Sequence, residues 1–248
     1  MCKRKVEFIL PVILIFSAIL QISCATTKNL GQETECENST LISTFNSCQY
    51  GQYFLQEIDL SSNNLELVAT HKKGPGFLAS RKKAFVAINS TPFTKTGKLV
   101  GIHREKGEDF SRPAGKYDAL CFDSTLTAFV VCNQELIPDS AIYAFGGFWC
   151  ILKDGIEQPF KLSRKDSRCA AGISSGGKKL FILTSVAGKK SKGLSYQECS
   201  RIFKELGCTD AIQFDGGSST TLYVMGKRVA GPFIVPHVPA GFGFCLTP

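Results

Sequence analysis

Short apolar runs separated by glycines and polar turns fill the chain from Tyr50 onward, a pattern typical of β-strands. The runs predict strands at 52–60, 65–70, 84–88, 99–103, 117–122, 126–132, 141–145, 149–153, 179–186 and 211–214. Ser61-Ser62-Asn63-Asn64 lies between the first two runs, and its turn chemistry predicts that they form a hairpin. The pattern therefore predicts a largely β core.

One helix is signalled by its start, its spacing and its end. Ser195-Tyr196-Gln197-Glu198 forms a capping box, and Gly207 is suited to close the last turn. Apolar residues recur between them at helical spacing, at Cys199, Ile202, Phe203 and Leu206. Because strands are predicted on both sides of it, this helix is expected to connect two parallel strands of one sheet. A shorter helix is expected after Gly74-Pro75-Gly76. The expected fold is a single α+β (mixed α/β) domain with a largely β core and a few helices packed on the sheet.

The N-terminus carries the only long apolar run, from Phe8 to Leu20, preceded by the basic residues 3–5. The run is short for a bilayer, which takes roughly 20 apolar residues, so residues 1–24 are interpreted as a secretory signal. Residues 25–49 are polar and lack apolar periodicity, which predicts a spacer. The folded domain is then expected over residues 50–248.

Two processing sites compete at the end of the signal. Leu20-Gln21-Ile22-Ser23-Cys24 resembles a bacterial lipoprotein box, although its Leu stands one position further from the Cys than usual. Ser23-Cys24-Ala25 instead fits release of a soluble product. The favoured interpretation is a cell-envelope lipoprotein anchored in the membrane through a lipid on Cys24, and the alternative is a secreted soluble protein.

Composition narrows the possible partners. The chain of 248 residues has a net charge of +8, but its Lys and Arg are dispersed in short clusters, so nucleic acid is not an expected partner. Anionic small ligands or an anionic envelope surface suit this charge better, and no obligate protein partner is inferred.

Eleven cysteines and three histidines limit the metal and redox chemistry. Without C-x-x-C spacing and with few histidines, no metal site and no cofactor are expected. Disulfides are plausible in an exported protein, with Cys121–Cys132 placed to clamp a hairpin and Cys199–Cys208 to tie a helix to its following turn.

The densest chemical signal lies between Asp210 and Thr221. Asp215 follows a predicted strand and precedes Gly216 and Gly217, and four hydroxyl residues come next, Ser218, Ser219, Thr220 and Thr221. Glycines let backbone N–H groups approach an anion, and hydroxyls bind sugar or phosphate oxygens. A plain Asp-Gly-Gly turn with a hydroxylated edge strand is the alternative.

Three weaker segments accompany this signal. Asn89 ends a predicted buried strand and is followed by Ser90-Thr91-Pro92-Phe93, Arg168 stands at the start of another strand, and Gly146-Gly147 precedes a third. Together with Asp215-Gly216-Gly217-Ser218-Ser219, and in this order, they resemble the phosphodiester glycosidase family, which includes the lysosomal uncovering enzyme and bacterial envelope proteins. The resemblance covers roughly residues 77–247, ending in the apparent closing strand 239–244.

The resemblance is specific at some positions and breaks at others. Residues that match the family's motifs are Asn89, Phe93, Arg168, Gly188, Asp215, Gly216, Gly217 and Ser219. Ser90-Thr91-Pro92 replaces a glycine pair, Ser218 replaces a third glycine, and Lys189 replaces an Arg. Ala187 stands where the family usually has an Asp, which removes a carboxylate near the presumed pocket.

The resemblance implies hydrolysis of a sugar-1-phosphodiester to free sugar and a phosphomonoester. Asp215 is the expected carboxylate at the anomeric centre and Arg168 the expected phosphate ligand. Asn89 and Ser219 are expected to orient sugar hydroxyls, and Gly216 and Gly217 to supply backbone donors. The remaining expected substrate contacts are Ser218, Thr220, Gly147 and Lys189.

Other interpretations stay open. Arg168 as a surface ion pair, Asn89 as a strand-end turn residue and His103 as a surface histidine without a role are the simplest alternatives for those residues. A carbohydrate-binding envelope protein without turnover would use the same hydroxyls. A serine hydrolase is disfavoured because there is no Gly-x-Ser-x-Gly elbow. A nonenzymatic structural lipoprotein is the remaining class.

Overall fold

The computed structural model describes residues 46–47, 51–161, 163–189, 191–231 and 237–247, and these belong to one compact unit. The predicted signal, Cys24 and most of the predicted spacer lie outside the described residues. Asn46–Ser47, at the end of that spacer, forms a short strand paired with Gly51–Gln52. Among the described residues, no helix is long and apolar enough to cross a membrane.

Strands dominate the described chain. Eighteen are described: β1 Asn46–Ser47, β2 Gly51–Gln52, β3 Phe54–Asp59, β4 Leu65–Thr70, β5 Val86–Asn89, β6 His103–Glu105, β7 Glu108–Ser111, β8 Ala119–Phe122, β9 Ala128–Val131, β10 Tyr143–Gly146, β11 Trp149–Lys153, β12 Ile156–Glu157, β13 Arg168–Ser174, β14 Lys179–Ser185, β15 Cys208–Gln213, β16 Leu222–Val224, β17 Lys227–Ala230 and β18 Gly241–Leu246. The α-helices are α1 Gly74–Arg81 and α2 Tyr196–Glu205, and two short 3-10 turns span Gln134–Leu136 and Gly217–Ser219.

The larger strands form three sheets. Sheet I has the order β7-β6-β10-β8-β9, sheet II the order β12-β11-β15-β13-β14-β3, and sheet III the order β17-β16-β5-β18-β4. Every described pairing of strands is antiparallel. Helix α1 packs on sheet III and α2 on sheet II. The largely β core and the helices on the sheets are thus as expected, but the balance is more strongly β than the mixed α/β description implies.

The predicted hairpin of the first two strands is wrong. Asp59 accepts hydrogen bonds from Ser61 and turns the chain as expected, yet β3 pairs with β14 in sheet II and β4 pairs with β18 in sheet III. Both strands bury apolar residues in one core, including Ile58 and Leu67. The turn residues fix the bend, whereas burial of the strands between two sheets decides their partners.

Helix α2 confirms its sequence signals. The Ser195 hydroxyl accepts the Glu198 N–H, the Glu198 carboxylate accepts the Ser195 N–H, and Gly207 has the left-handed φ of +77° that closes the end. The flanking strands β14 and β15 run parallel in one sheet, as expected. They are not neighbours, because β13 lies between them and pairs antiparallel with both.

Several strand boundaries differ from the pattern. Leu65–Thr70 and Trp149–Lys153 coincide with their predicted ranges, whereas the strand predicted at 99–103 begins only at His103. Leu99 forms an isolated bridge with Phe93 instead. The β16–β17 hairpin was not predicted: β16 has only three residues, and β17 is mostly exposed and begins with two basic residues.

An aromatic core joins the three sheets. Phe242 of sheet III stacks on Phe145 of sheet I, with ring centroids 4.6 Å apart, and Phe214, which follows β15 of sheet II, lies 5.7 Å from Phe242. Phe122 of sheet I packs edge-on to the same ring. All four side chains are fully buried. This packing fixes the strand ends from which the candidate site is built.

The expected disulfides are absent among the seven cysteines that the structure describes as free thiols. Cys121 pairs with Phe129 across β8–β9, so Cys132 lies three residues further along and on the opposite face, roughly 10 Å away. Cys199 and Cys208 are both buried but remain separate. Burial raises the pKa of Cys121, Cys199 and Cys208 to about 12, which keeps these thiols protonated.

Candidate functional site

Three strand ends carry the principal candidate residues. Asn89 is the last residue of β5, Arg168 the first of β13, and Asp215 comes two residues after the end of β15. Because β13 and β15 are antiparallel neighbours, the first residue of β13 and the last residue of β15 lie at the same end of sheet II, along the strand direction. Asn89 belongs to sheet III but lies next to this end of sheet II, since its side chain hydrogen-bonds the backbone of Asp215.

Asn89 clamps both ends of the loop 215–221. Its Nδ2 donates to the carbonyl oxygen of Asp215 at 2.7 Å, and its Oδ1 accepts the N–H of Thr221 at 2.9 Å. The side chain is completely buried. Asn89 is therefore a positioning residue, which differs both from the expected contact with sugar hydroxyls and from a simple turn residue.

Packing requires a glycine at position 216, and the backbone conformation favours one at position 217. A Cβ on Gly216 would lie 2.8 Å from the carbonyl oxygen of Ser167, and Gly217 has a left-handed φ of +57°. The Gly217 N–H donates to Ser167 O at 2.9 Å, and the Gly216 N–H bonds the Asp215 carboxylate. Both N–H groups are thus engaged within the protein, so the expectation that they serve as donors to a ligand does not hold.

The Asp215 carboxylate is partly shielded from water. Burial raises its pKa above the ordinary value of 3.8, and hydrogen bonds from the Ser219 hydroxyl and the Gly216 N–H act in the opposite direction. Ser219 is itself buried and follows in the short helical turn after Gly216. Ser219 therefore orients the Asp215 carboxylate. The sequence had instead led us to expect that Ser219 contacts sugar hydroxyls.

Arg168 is a buried and rigidly held cation, with 7% of its surface exposed. Its Nε donates to Leu194 O and its Nη2 to Arg164 O, each at 3.0 Å, and its guanidinium carbon lies 4.2 Å from the centre of the Tyr196 ring. Leu194 and Tyr196 flank the N-cap of α2, so the capping box of that helix also positions the arginine.

The guanidinium faces the loop without a carboxylate partner. Its Nη1 lies 3.9 Å from the point that a Cβ on Gly216 would occupy. Arg168 forms no ion pair with any residue in the described ranges. The surface ion pair considered for this residue is therefore not formed within that part of the chain. A buried cation with N–H donors to spare suits an anionic ligand.

Three other residues predicted to contact the substrate are Ser218, Lys189 and Gly147. Ser218 and Lys189 are exposed, on the loops 215–221 and 187–191. The Ala187 N–H donates to the Ser167 hydroxyl at 2.8 Å, so the second loop is tied to the start of β13. Gly147 does not face a ligand, because a Cβ there would lie 2.7 Å from Gln213 O in β15.

Sequence reasoning missed two polar groups beside the loop, Ser90 and Gln213. Both are almost fully buried, as is Thr220, which was expected to contact substrate. Each of the three has a side-chain oxygen without a hydrogen-bond partner in the described structure. Ser90 O also accepts the Asp215 N–H at 3.3 Å. The position of Ser90 directly after Asn89 was the available signal, but nothing in the sequence shows that its hydroxyl is buried.

His103 is not a surface histidine, contrary to the simplest expectation. It is fully buried, with Nε2 3.1 Å from Glu105 Oε1 and Nδ1 3.3 Å from Thr91 Oγ1. The same Glu105 oxygen lies 2.9 Å from Nδ1 of His71. Burial lowers the pKa of His103. In the described ranges no group of three or more His, Cys, Asp or Glu is arranged to hold a metal.

The phosphodiester glycosidase family model matches residues 82–244. The chain belongs to this family. The match spans Asn89, Arg168 and Asp215, and it ends within β18. The family assignment made from the motifs is thereby confirmed.

The chain is similar to one curated protein in sequence and to one solved enzyme domain in fold. The SPbeta prophage-derived uncharacterized protein YomE of Bacillus subtilis is 26% identical over 230 residues, covering 86% of this chain and 34% of its own length. The chain thus spans about one third of that relative. The catalytic domain of zebrafish N-acetylglucosamine-1-phosphodiester alpha-N-acetylglucosaminidase, auto-inhibited by its pro-peptide, has a TM-score of 0.64 and 15% identity over 84% of this chain and 81% of that chain.

A bacterial structure shares the fold as well. A hypothetical protein from Synechocystis has a TM-score of 0.67 and 14% identity over 84% of this chain and 62% of that chain. At such identities the structural likeness concerns the fold, so the chemistry has to be argued from the residues of this chain.

Proposed function

We propose that this family member is an exported hydrolase that cleaves a sugar-1-phosphodiester into free sugar and a phosphomonoester. The observation that carries the proposal is the pairing of a buried, carboxylate-free guanidinium at Arg168 with the shielded carboxylate of Asp215 on the adjoining loop. The zebrafish enzyme of the same fold, by its name, acts on N-acetylglucosamine-1-phosphodiesters.

Arg168 binds the phosphate in this proposal. Its Nε and Nη2 are held by two backbone carbonyls, so Nη1 and the remaining N–H of Nη2 stay available to phosphate oxygens. The stacked Tyr196 ring keeps the plane of the guanidinium fixed. As the bond between the anomeric carbon and the bridging oxygen breaks, its electron pair goes to the phosphate, and the nearby cation stabilises the added charge.

Asp215 acts at the anomeric centre. Its carboxylate either attacks the anomeric carbon, forming a glycosyl ester that water then hydrolyses, or takes a proton from the water that attacks this carbon directly. In both routes the sugar leaves with a hydroxyl that comes from water. A phosphate is a good leaving group, so a second carboxylate as general acid is not required. Ser219 and the Gly216 N–H hold the carboxylate in place, and Asn89 fixes the loop that carries it.

Kinetics on a panel of sugar-1-phosphodiesters, including N-acetylglucosamine-1-phosphate esters, test the proposal. Asp215→Asn should lower kcat by about 100-fold or more, since the loss of one such group costs several kcal/mol of barrier. Arg168→Gln should weaken binding of the diester more than binding of the free sugar. Wild-type protein that releases sugar from no panel member, or Asp215→Asn that retains full activity, would contradict the assignment.

A carbohydrate-binding protein without turnover is the second candidate, favoured by one observation. Ala187 has no side-chain carboxylate, and its loop is held through its backbone by Ser167 instead. If Ala187 has removed a group needed for turnover, the wild type should bind panel members without releasing sugar, and Ala187→Asp should restore release.

Export and lipid anchoring belong to the same proposal and rest on the N-terminal sequence. Labelling of the full chain in a bacterial host with a radioactive fatty acid should tag the protein, and Cys24→Ala should abolish the label. An unlabelled, soluble product from the wild type would instead support ordinary secretion.

A further inference from the structure

A row of cavities begins beside the candidate site, at the end of sheet III where strand β5 ends. The first cavity, of about 160 Å³, is lined by Thr221, Lys73 and His237. Thr221 is the residue whose N–H bonds the side chain of Asn89, and Asn89 in turn bonds Asp215. The first cavity is therefore two hydrogen bonds away from the proposed catalytic loop.

Two further cavities continue the row. The second, of about 320 Å³, shares His237 with the first, and the third, of about 760 Å³, shares His71 and Lys72 with the second. His71 and Lys72 directly follow β4, whose last residue pairs with Gly241 of β18. Gly241 also pairs with Asn89, so β4 and β5 end at the same end of sheet III. We call these three cavities together the cationic groove.

The charge of this groove is one-sided. Its cations are Lys72, Lys73, Lys95, Lys98 and Arg112, and its described lining contains no Asp or Glu. Within the described ranges, no ion pair involves any of these five side chains. Like charges gathered along a concave surface raise the local positive potential, and an anionic ligand relieves their repulsion.

Apolar groups share this lining with the cations, among them Leu99, Tyr223 and Pro239. Phe93 lines the second cavity, and Phe110, which is 38% exposed, lines the third and stacks on His71 with centroids 3.9 Å apart. A ligand for this groove is therefore anionic, with uncharged parts that contact these apolar groups.

We infer that the cationic groove binds the part of the substrate beyond the scissile sugar, and that this part is a linear chain of hydroxylated units joined by phosphodiesters. The inference rests on the proposed function, because it extends a phosphodiester substrate outward from Arg168 and Asp215. Several cations spaced along connected cavities match several phosphates spaced along one chain. A small diester whose phosphate carries only a neutral alcohol would leave most of the groove empty.

The decisive experiment measures binding of a fluorescent glycerol phosphate oligomer by anisotropy at low ionic strength. The combined variant Lys72→Gln, Lys98→Gln and Arg112→Gln should weaken binding about tenfold or more, and added salt should weaken binding to the wild type. A matched control is Lys83→Gln, Lys116→Gln and Lys227→Gln, which removes the same net charge from exposed positions outside the groove. The control should bind the oligomer like the wild type.

The outcomes separate this inference from the proposed function. Hydrolysis of a small sugar-1-phosphodiester should be unchanged in the groove variant, whereas Asp215→Asn should retain binding of the oligomer. Groove-dependent binding without any hydrolysis would leave the groove assignment standing and overturn the proposed function. Equal losses in the groove and control variants, or tighter groove-dependent binding of a single-stranded oligonucleotide or of phosphatidylglycerol vesicles, would overturn the groove assignment.

Discussion

The amide of Asn89 donates to the carbonyl oxygen of Asp215 at 2.7 Å, although 126 residues separate them in the chain. Through this bond the end of β5 in sheet III holds the residue that follows sheet II. The second bond of the same amide, from the Thr221 N–H, closes the loop from its other side. One buried side chain thus sets the position of the proposed catalytic carboxylate.

Asn89→Ala is expected to destabilise the protein and disorder the loop. It leaves the Asp215 carbonyl and the Thr221 N–H without their partner, and each buried unpaired group costs about 1–3 kcal/mol. Urea denaturation should show a loss of about 2 kcal/mol or more, and kcat should fall as well. Thr221→Val, which keeps the backbone N–H, is the control for general disturbance, and equal stability of Asn89→Ala and the wild type would refute the clamp.

Replacement of glycines near the site should separate close packing from open positions. A Cβ on Gly216 meets the Ser167 carbonyl oxygen at 2.8 Å, whereas a Cβ on Gly188 meets nothing within 4 Å. Gly216→Ala should therefore push the loop away from Arg168 and lower kcat about tenfold or more, at a cost in stability of about 1–3 kcal/mol. Gly188→Ala, measured in the same assay, should behave like the wild type.

The residues at the strand ends could be recognised from the sequence, but their contacts could not. Arg168 is the first residue of β13 and Asn89 the last of β5, as the apolar runs beside them indicate. Their roles depend on partners far along the chain, such as Leu194 for Arg168 and Thr221 for Asn89. A local pattern contains no information on such pairings, for the same reason that the turn after Asp59 did not reveal that β3 and β4 enter different sheets.

Burial was the other quantity that the sequence did not supply. His103 ends the apolar run 99–103 and precedes the charged pair Arg104-Glu105, and its complete burial follows only from the stacking of sheet I on the aromatic core. The Gly216 and Gly217 N–H groups were expected to face a ligand because glycines let backbone N–H groups approach an anion. In the folded protein the approach of Ser167 uses one of them and the Asp215 carboxylate the other.

The buried His103 should make stability depend on pH near neutrality. Burial lowers its pKa below the ordinary 6.5, the Glu105 carboxylate beside it opposes this, and His71 acts in the same direction as burial. The unfolded chain therefore takes up a proton at a higher pH than the native protein does. Stability should fall as the pH drops below 6.5, by at most about 1.4 kcal/mol per pH unit, until the native His103 is protonated too.

Urea midpoints at pH 7.5, 6.5 and 5.5 measure this dependence. His103→Gln should lose stability at pH 7.5 but show a flatter profile between 7.5 and 5.5 than the wild type. His237→Gln, at an exposed position, should keep the slope of the wild type. A profile of His103→Gln that parallels the wild type would show that another group titrates.

The shielded carboxylate of Asp215 should affect the pH dependence of stability as well as that of turnover. Burial raises its folded-state pKa above 3.8, so the native protein binds a proton at a pH where the unfolded chain has released it. The carboxylate therefore costs stability at neutral pH, and this cost disappears as the pH falls through the raised pKa. Asp215→Asn should be more stable than the wild type at pH 7, and the difference should shrink on acidification.

The activity profile supplies the second half of the test. If the ionised carboxylate acts on the substrate, kcat/KM of the wild type should fall on the acid side with a midpoint above 3.8. Ser219→Ala should move that midpoint upward, because the Ser219 hydroxyl hydrogen-bonds the carboxylate and lowers its pKa. A midpoint at or below 3.8, or Asp215→Asn that is less stable than the wild type at pH 7, would show that Asp215 is held as a structural carboxylate and not as the shielded catalytic group.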